Sequence, residues 1–115
     1  MTLVVLNRSA PAVGLQPEVR LVGWQIFRLP SGDHHFCGLH ADRSKGFGRV
    51  STAIVAFDAA TRTGTTASGR RYVLEGEPGA DPAVDGIRAL WLRANGFDPT
   101  EIGAVDTVDI GHVLH

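Results

Sequence analysis

The stretch VRLVGWQIFRLPSGDHHFCGLH, residues 19–40, decides the fold. Two apolar runs flank a polar Pro-Ser-Gly-Asp turn, a pattern that predicts an antiparallel β-hairpin. Side chains alternate along a strand, so the hairpin should have two different faces. The first run is then expected to divide into two sets, with Trp24, Ile26 and Val22 on one face and Gln25 and Phe27 on the other.

The second run of the hairpin holds three of the five histidines and the single cysteine. Among these groups only His35 and Cys37 are same-face neighbours, roughly 6.6 Å apart by the usual strand rise. A structural zinc site needs four converging ligands, so no metal is predicted, although His112, His115 or a carboxylate would supply a further ligand if folded nearby. Cys37 is predicted to be a small buried hydrophobe, because free cysteines are usually buried.

Three further segments carry strand signals. TLVVL, residues 2–6, predicts a first strand, and VSTAIVAFD, residues 50–58, predicts another. TTASGRRYVLEG, residues 65–76, predicts two short strands joined at Ser68-Gly69, because glycine permits the positive φ of a tight hairpin turn.

One amphipathic helix is predicted at about residues 82–95. Asp81 is a suitable N-cap, Pro82 suits the first turn, and Asn95-Gly96 ends the helix. Together the elements predict a single α+β domain over residues 1–115. Its expected architecture is a small antiparallel β roll or barrel of five or six strands, SH3-like as first choice, with the helix packed on it.

Composition favours a small folded protein of the cytoplasm. The chain has 115 residues, of which 43% are hydrophobic and 20% charged. A lone cysteine cannot form an internal disulfide, so nothing indicates an oxidising compartment. The N-terminal apolar run is too short for a signal peptide, and no window approaches the length needed to cross a bilayer. No membrane partner is therefore expected.

Charge is divided unevenly along the chain. Residues 1–74 carry nine Lys/Arg against four carboxylates, whereas residues 75–115 carry two against eight. The two parts either neutralise each other across the fold or offer charged faces to partners. The candidate binding residues for protein or phosphate are Arg43, Lys45, Phe47, Arg49, Arg62, Arg70 and Arg71, and the candidate acidic face is Asp98, Glu101, Asp106 and Asp109.

Catalytic motifs are missing from the sequence, which holds no G-x-S-x-G, P-loop or H-E-x-x-H pattern. No catalytic residue and no cofactor is predicted. KGFGRV, residues 45–50, opens like an RNA-recognition motif, but Arg49 and Thr52 stand where base-stacking aromatics belong. The segment is therefore expected to be a glycine-shaped loop whose basic residues are solvated or face an anion.

Three segments, HFCG, GRVSTAIVAFD and SGRRYVLEGEPG, carry a resemblance over residues 24–79. There the chain loosely resembles small single-domain proteins of bacterial mobile or accessory genomes, for which no activity is established. The resemblance implies an origin in a phage, plasmid or integrative element. With the small size, the missing motifs and the charge division, it favours a non-enzymatic protein-binding function, for instance anti-CRISPR-like inhibition of a host defence system.

Two other functions stay open. The basic loop residues suit a nucleic-acid-binding β-barrel, since phosphate contacts give affinity without sequence readout. The histidines and the cysteine leave a metal-dependent enzyme as a second alternative. The expected partner is a host protein or a second copy of the chain, and a homodimer would cover the exposed edge of an open sheet.

Overall fold

The computed structural model describes residues 17–79 and 81–107. In this part of the chain six strands form one mixed sheet with a single α-helix, so the α+β prediction is confirmed. The strands are β1 (Glu18–Arg28), β2 (His34–His40), β3 (Gly48–Val50), β4 (Ile54–Asp58), β5 (Thr63–Thr66) and β6 (Arg71–Leu74). The helix α1 is Pro82–Ala94, and a 3-10 turn covers Arg43–Lys45. The strand predicted at residues 2–6 lies outside the described residues.

The strand order is β3-β2-β1-β6-β5-β4. Four of the five strand pairs are antiparallel, but β1 and β6 run parallel, so the purely antiparallel arrangement is wrong. Strands β2 to β5 intervene in the chain before β6 returns to the side of β1 that β2 leaves free. The order has two ends, at β3 and β4, so the sheet is open and an SH3-like barrel is not confirmed.

Strands β1 and β2 form the predicted hairpin, with one irregularity. An extra residue at Gly23, whose φ is 59°, bulges β1 between Val22 and Gln25. The prediction that Trp24 and Ile26 share one face is confirmed, since both lie in the same apolar core. The prediction for Val22 is wrong, because Val22 pairs with Leu39 and shares the face of Gln25.

Each face of the sheet has an apolar core. The inner core fills the curl of the sheet and contains Val19, Leu21, Trp24, Ile26, Phe36, Ile54, Phe57, Tyr72 and Leu74. The helix-side core contains Phe27, Leu29, Cys37, Val50, Val84, Ile87, Leu92 and Ile102. Neighbours on β2 thus enter different cores, Phe36 the inner one and Cys37 the other, which confirms the predicted alternation of residues 34–40.

The helix α1 agrees closely with its prediction. Asp81 Oδ1 accepts a hydrogen bond from the backbone N–H of Ala83 at 2.8 Å, and Gly96 ends the helix with a φ of 85°. Its buried residues Val84, Ile87 and Leu92 pack on the sheet at three- to five-residue spacing. No helix in the described part of the chain has the length and apolar character that crossing a membrane requires.

The single strand predicted over residues 50–58 is wrong, because residues 51–53 separate β3 from β4. Ser51 continues beside β2, where its N–H donates to Phe36 O at 2.8 Å. Two residues later, Ala53 O accepts from the N–H of Ala67 in the β5–β6 turn at 2.7 Å. Residues 51–53 thus connect β3 and β4, the two edge strands of the sheet, over at most about 14 Å, the reach of four extended residues. The sheet therefore curls so that its two edges come close together.

Candidate functional site

The loop between β2 and β3, residues 41–47, is an ordered and exposed projection of the sheet. Asp42 starts its 3-10 turn by accepting hydrogen bonds from Ser44 N at 3.0 Å and Ser44 Oγ at 2.7 Å. Those two bonds hold the pKa of Asp42 below its usual value. Gly46, with a φ of 128°, reverses the chain, and Phe47 O then accepts from His40 N at 3.1 Å.

Three predicted binding residues gather on this β2–β3 loop. Phe47 is 48% exposed, and the Arg43 guanidinium carbon lies 5.2 Å from the centre of its ring. Lys45 is also exposed. A guanidinium over an aromatic face is a cation–π contact, which holds both side chains in place while leaving the other ring face open.

Arg49 and Arg70 differ from the solvated residues that the sequence predicts. Gly48–Val50 is a strand rather than loop, and its alternation turns Arg49 inward, where it is 4% exposed. Arg70 precedes β6 and is 6% exposed. Arg49 Nε donates to the hydroxyl of Tyr72 at 3.1 Å, and the Arg70 guanidinium interacts with the same phenol. We call Arg49, Arg70 and Tyr72 the arginine–tyrosine cluster.

Burial and like charge act together on this cluster. The pKa of Arg70 is lowered first by burial and then by the charge of Arg49. The pKa of neighbouring His40 is lowered by burial and then by Arg49, so the imidazole is neutral near pH 7. The pKa of Tyr72 is raised because burial outweighs the two guanidinium groups. The phenol therefore keeps its proton and remains a hydrogen-bond donor.

Arg62 and Arg71 do not join these residues. Arg62 donates to Gly76 O at 2.6 Å and pairs with Glu77 at 2.8 Å, which ties the segment after β6 to the sheet. Arg71 is exposed on the face of β6 opposite to Tyr72, and it lies 3.9 Å from Glu18. The predicted basic binding residues therefore do not form one surface, and only those around the β2–β3 loop lie close together.

The acidic residues are also divided. Asp98 accepts from Thr100 N at 3.0 Å and Thr100 Oγ1 at 2.7 Å, contacts that lower its pKa and shape the turn after the helix. Glu101 and Asp106 are exposed, and Asp109 lies outside the described residues.

Charges from the two parts of the sequence meet across the fold. Arg20 contacts Glu75 at 3.1 Å, and Arg62 contacts Glu77 as described above. The interpretation that the basic and acidic parts neutralise each other is thus confirmed for these pairs. It accounts for only part of the charge division, because the cations of the β2–β3 loop lie elsewhere.

The histidines of β2 pack on opposite faces of the sheet. His35 stacks on Phe27 at 5.4 Å and lies 4.9 Å from the ring centre of Trp91. Its Nδ1 is 2.8 Å from Ser51 O. Within residues 17–79 and 81–107, no three His, Cys, Asp or Glu side chains are grouped to hold a metal. His112 and His115 lie outside these residues.

Cys37 is completely buried in the helix-side core. Burial raises the pKa of its thiol to about 12. The thiolate, which is the nucleophilic form, is therefore scarce at neutral pH. This agrees with the interpretation of Cys37 as a small core residue.

Sequence reasoning missed His40 and Tyr72 as neighbours of the basic residues. His40 shares the inner face of β2, so alternation alone would have placed it there. Tyr72 meets Arg49 only through the order of six strands, because β3 and β6 are not adjacent in the sheet. No local signal in the sequence indicates that contact.

One of the two edge strands of the sheet is β4. A register shift between Ile54 and Ala56 leaves Val55 57% exposed, and a groove of about 480 Å³ opens beside it over β4 and β5. Bulges of this kind weaken strand addition at an edge. A homodimer through this edge stays a prediction.

Comparison of the chain with known family models, with curated proteins and with solved structures finds no match. The function is therefore argued from the chain's own geometry.

Proposed function

We propose that this is a non-enzymatic binding protein that contacts a partner protein through the β2–β3 loop. The observation that carries the proposal is Phe47, an aromatic side chain 48% exposed beneath the Arg43 guanidinium. Aromatic residues and arginine are enriched among the residues that dominate binding energy at protein interfaces. The adjoining charge of Lys45 favours a partner with an acidic surface.

The biological setting belongs to the same proposal. We propose an origin in a mobile element from the resemblance over residues 24–79. We propose an anti-CRISPR-like inhibition of host defence from the small size, the missing catalytic motifs and the charge division. A compact inhibitor needs one projecting contact surface, which the β2–β3 loop offers. The cytoplasmic location stays a prediction.

Phe47→Ala is expected to weaken binding to the partner at least about tenfold, because the ring supplies the apolar contact and orders Arg43. The partner is identified by cross-linking in cells that contain the protein, and its affinity is then measured with purified components by calorimetry. Val55→Ala is the matched control, since it also removes an exposed apolar side chain but from β4. Equal affinities for wild type and both variants would contradict the proposal.

Nucleic-acid binding is the second candidate, favoured by the gathering of Arg43, Lys45, Arg49 and Arg70 around one end of the sheet. Such binding would depend on phosphate contacts and would weaken steeply with salt.

Lys45→Gln is expected to reduce the slope of log affinity against log salt by about one if a phosphate contact is lost. The measurement is fluorescence anisotropy with a labelled single-stranded oligonucleotide between low and physiological salt. Arg93→Gln, at an exposed position in the last turn of the helix, is the control and should leave the slope unchanged. A slope near zero for the wild type would exclude this candidate.

A further inference from the structure

The β2–β3 loop closes over the side chain of His40, the last residue of β2. Residues 41–47 are all exposed, whereas His40 is 4% exposed. A Cβ added at Gly46 would lie 3.6 Å from His40 Cδ2 and 3.8 Å from His40 Nε2, so the backbone of the loop lies against the imidazole. Beside His40 in the sheet, Leu21 of β1 is its register partner. The loop is therefore part of what keeps water from this imidazole.

The loop can move away from His40 without unfolding of the sheet. Its 3-10 turn is closed by bonds within the loop itself, of which that from Gly46 N to Arg43 O is 3.3 Å long. At the base of the loop, His40 N donates to Phe47 O at 3.1 Å. An exposed segment with little buried apolar surface opens at a lower free-energy cost than the core.

The surroundings of His40 oppose its protonation in the closed loop. Burial is the largest cause that lowers its pKa, Arg49 of β3 follows, and Lys45 of the loop adds least. Asp42 of the loop raises the pKa, but by less than Arg49 lowers it. Leu21 on β1 carries no charge. An imidazolium at this position is therefore stabilised by contact with water, which an open loop provides.

We propose that His40 is a proton-sensitive support of the β2–β3 loop, so that protonation of its imidazole opens the loop and weakens the partner surface formed by Arg43 and Phe47. The closed loop binds fewer protons than the open loop, so the open form gains as the pH falls below about 6.5, the ordinary pKa of histidine. At pH 7.5 the imidazole is neutral in both forms. The effect on binding rests on the function proposed above, whereas the opening of the loop does not.

Hydrogen exchange of backbone amides, measured by NMR on the full chain between pH 7.5 and 5.5, tests the opening. The observed exchange rate divided by the intrinsic rate gives the opening constant of each amide. For the amides of His40, Lys45 and Gly46 this constant is expected to rise about three- to tenfold over the range. Tenfold is about the most that one group with a pKa of 6.5 permits.

His40→Gln keeps a polar side chain and removes the group that takes up the proton, so its loop should have the same opening constant at both pH values. His34→Gln is the matched control, because His34 is also buried but lies at the other end of β2. In this control the loop should stay as dependent on pH as in the wild type. If His40→Gln does not fold, the resonances of the wild type replace it, since those of His40 and Phe47 should titrate with one midpoint.

Three results would overturn the opening of the loop. They are an opening constant that stays unchanged from pH 7.5 to 5.5 in the wild type, an equal dependence on pH in His40→Gln, and different titration midpoints for His40 and Phe47. None of these measurements needs the partner.

Binding is tested separately with the cross-linked partner. Its affinity should fall over the same pH range in proportion to the fraction of closed loop, and His40→Gln should abolish this part of the change. An equal dependence of affinity on pH in the wild type and in His40→Gln would overturn the link to binding. A loop that opens in acid, together with a partner affinity unaffected by Phe47→Ala, would instead contradict only the proposed function, so the two failures are distinguishable.

Discussion

Phe36→Ala is expected to lower the free energy of unfolding by about 3–5 kcal/mol, the range for removing a fully buried aromatic ring. Phe36 has no exposed surface, and its ring centre lies 5.8 Å from that of Phe57 and 5.4 Å from that of Tyr72. A Cβ at Gly64 would lie only 2.5 Å from Phe36 Cζ, so the ring fills the space above that glycine. Its loss leaves a cavity between four strands. Urea denaturation measures the change.

Phe47→Ala is the matched control, because it removes the same side chain from an exposed loop. Its effect on the free energy of unfolding should stay within about 0.5 kcal/mol, as for most surface substitutions. If Phe36→Ala cost no more than this control, the inner core would not be packed as described. The pair therefore separates the residue that stabilises the sheet from the residue proposed to bind.

Local sequence signals predicted the parts of the fold that depend on near neighbours. The β1–β2 hairpin, the alternation of residues 34–40 and the helix with its Asp81 cap are all present, since each follows from a turn, a period or a cap. The bulge at Gly23 and the break at residues 51–53 depend on what the chain meets across the sheet. Period-two alternation cannot indicate them, because the same residue types suit a continuous strand.

The same difference between local and long-range signals applies to the residues of the candidate site. Arg43, Lys45 and Phe47 lie within one loop, so their exposure and proximity could be predicted from the polar, glycine-containing sequence. Arg49 and Arg70 could not be distinguished from solvated residues, because their burial depends on strand register and on the β1–β6 pairing. The residues beside either arginine carry no local signal of this long-range parallel strand pair.

The free energy of unfolding is expected to fall as the pH drops below about 6.5, the ordinary pKa of histidine. Burial is the largest cause that lowers the pKa of His34, His35 and His40, with Arg28 adding to it at His34 and Arg49 at His40. The unfolded chain therefore takes up protons at a pH where the folded chain does not. Each histidine adds to the slope of the free energy of unfolding against pH, up to a limit of about 1.4 kcal/mol per pH unit for one proton.

Chemical denaturation at a series of pH values between 7.5 and 5 measures this dependence. The window separates the histidines from Asp42 and Asp98, whose lowered pKa values make them lose their stabilising contribution only below about pH 4. His40→Gln should lower this slope, because the protonation of one of the three histidines is gone. A free energy of unfolding that stays constant from pH 7.5 to 5.5 would show that these imidazoles are hydrated in the folded protein, and the packing of β2 against both cores would then be incorrect.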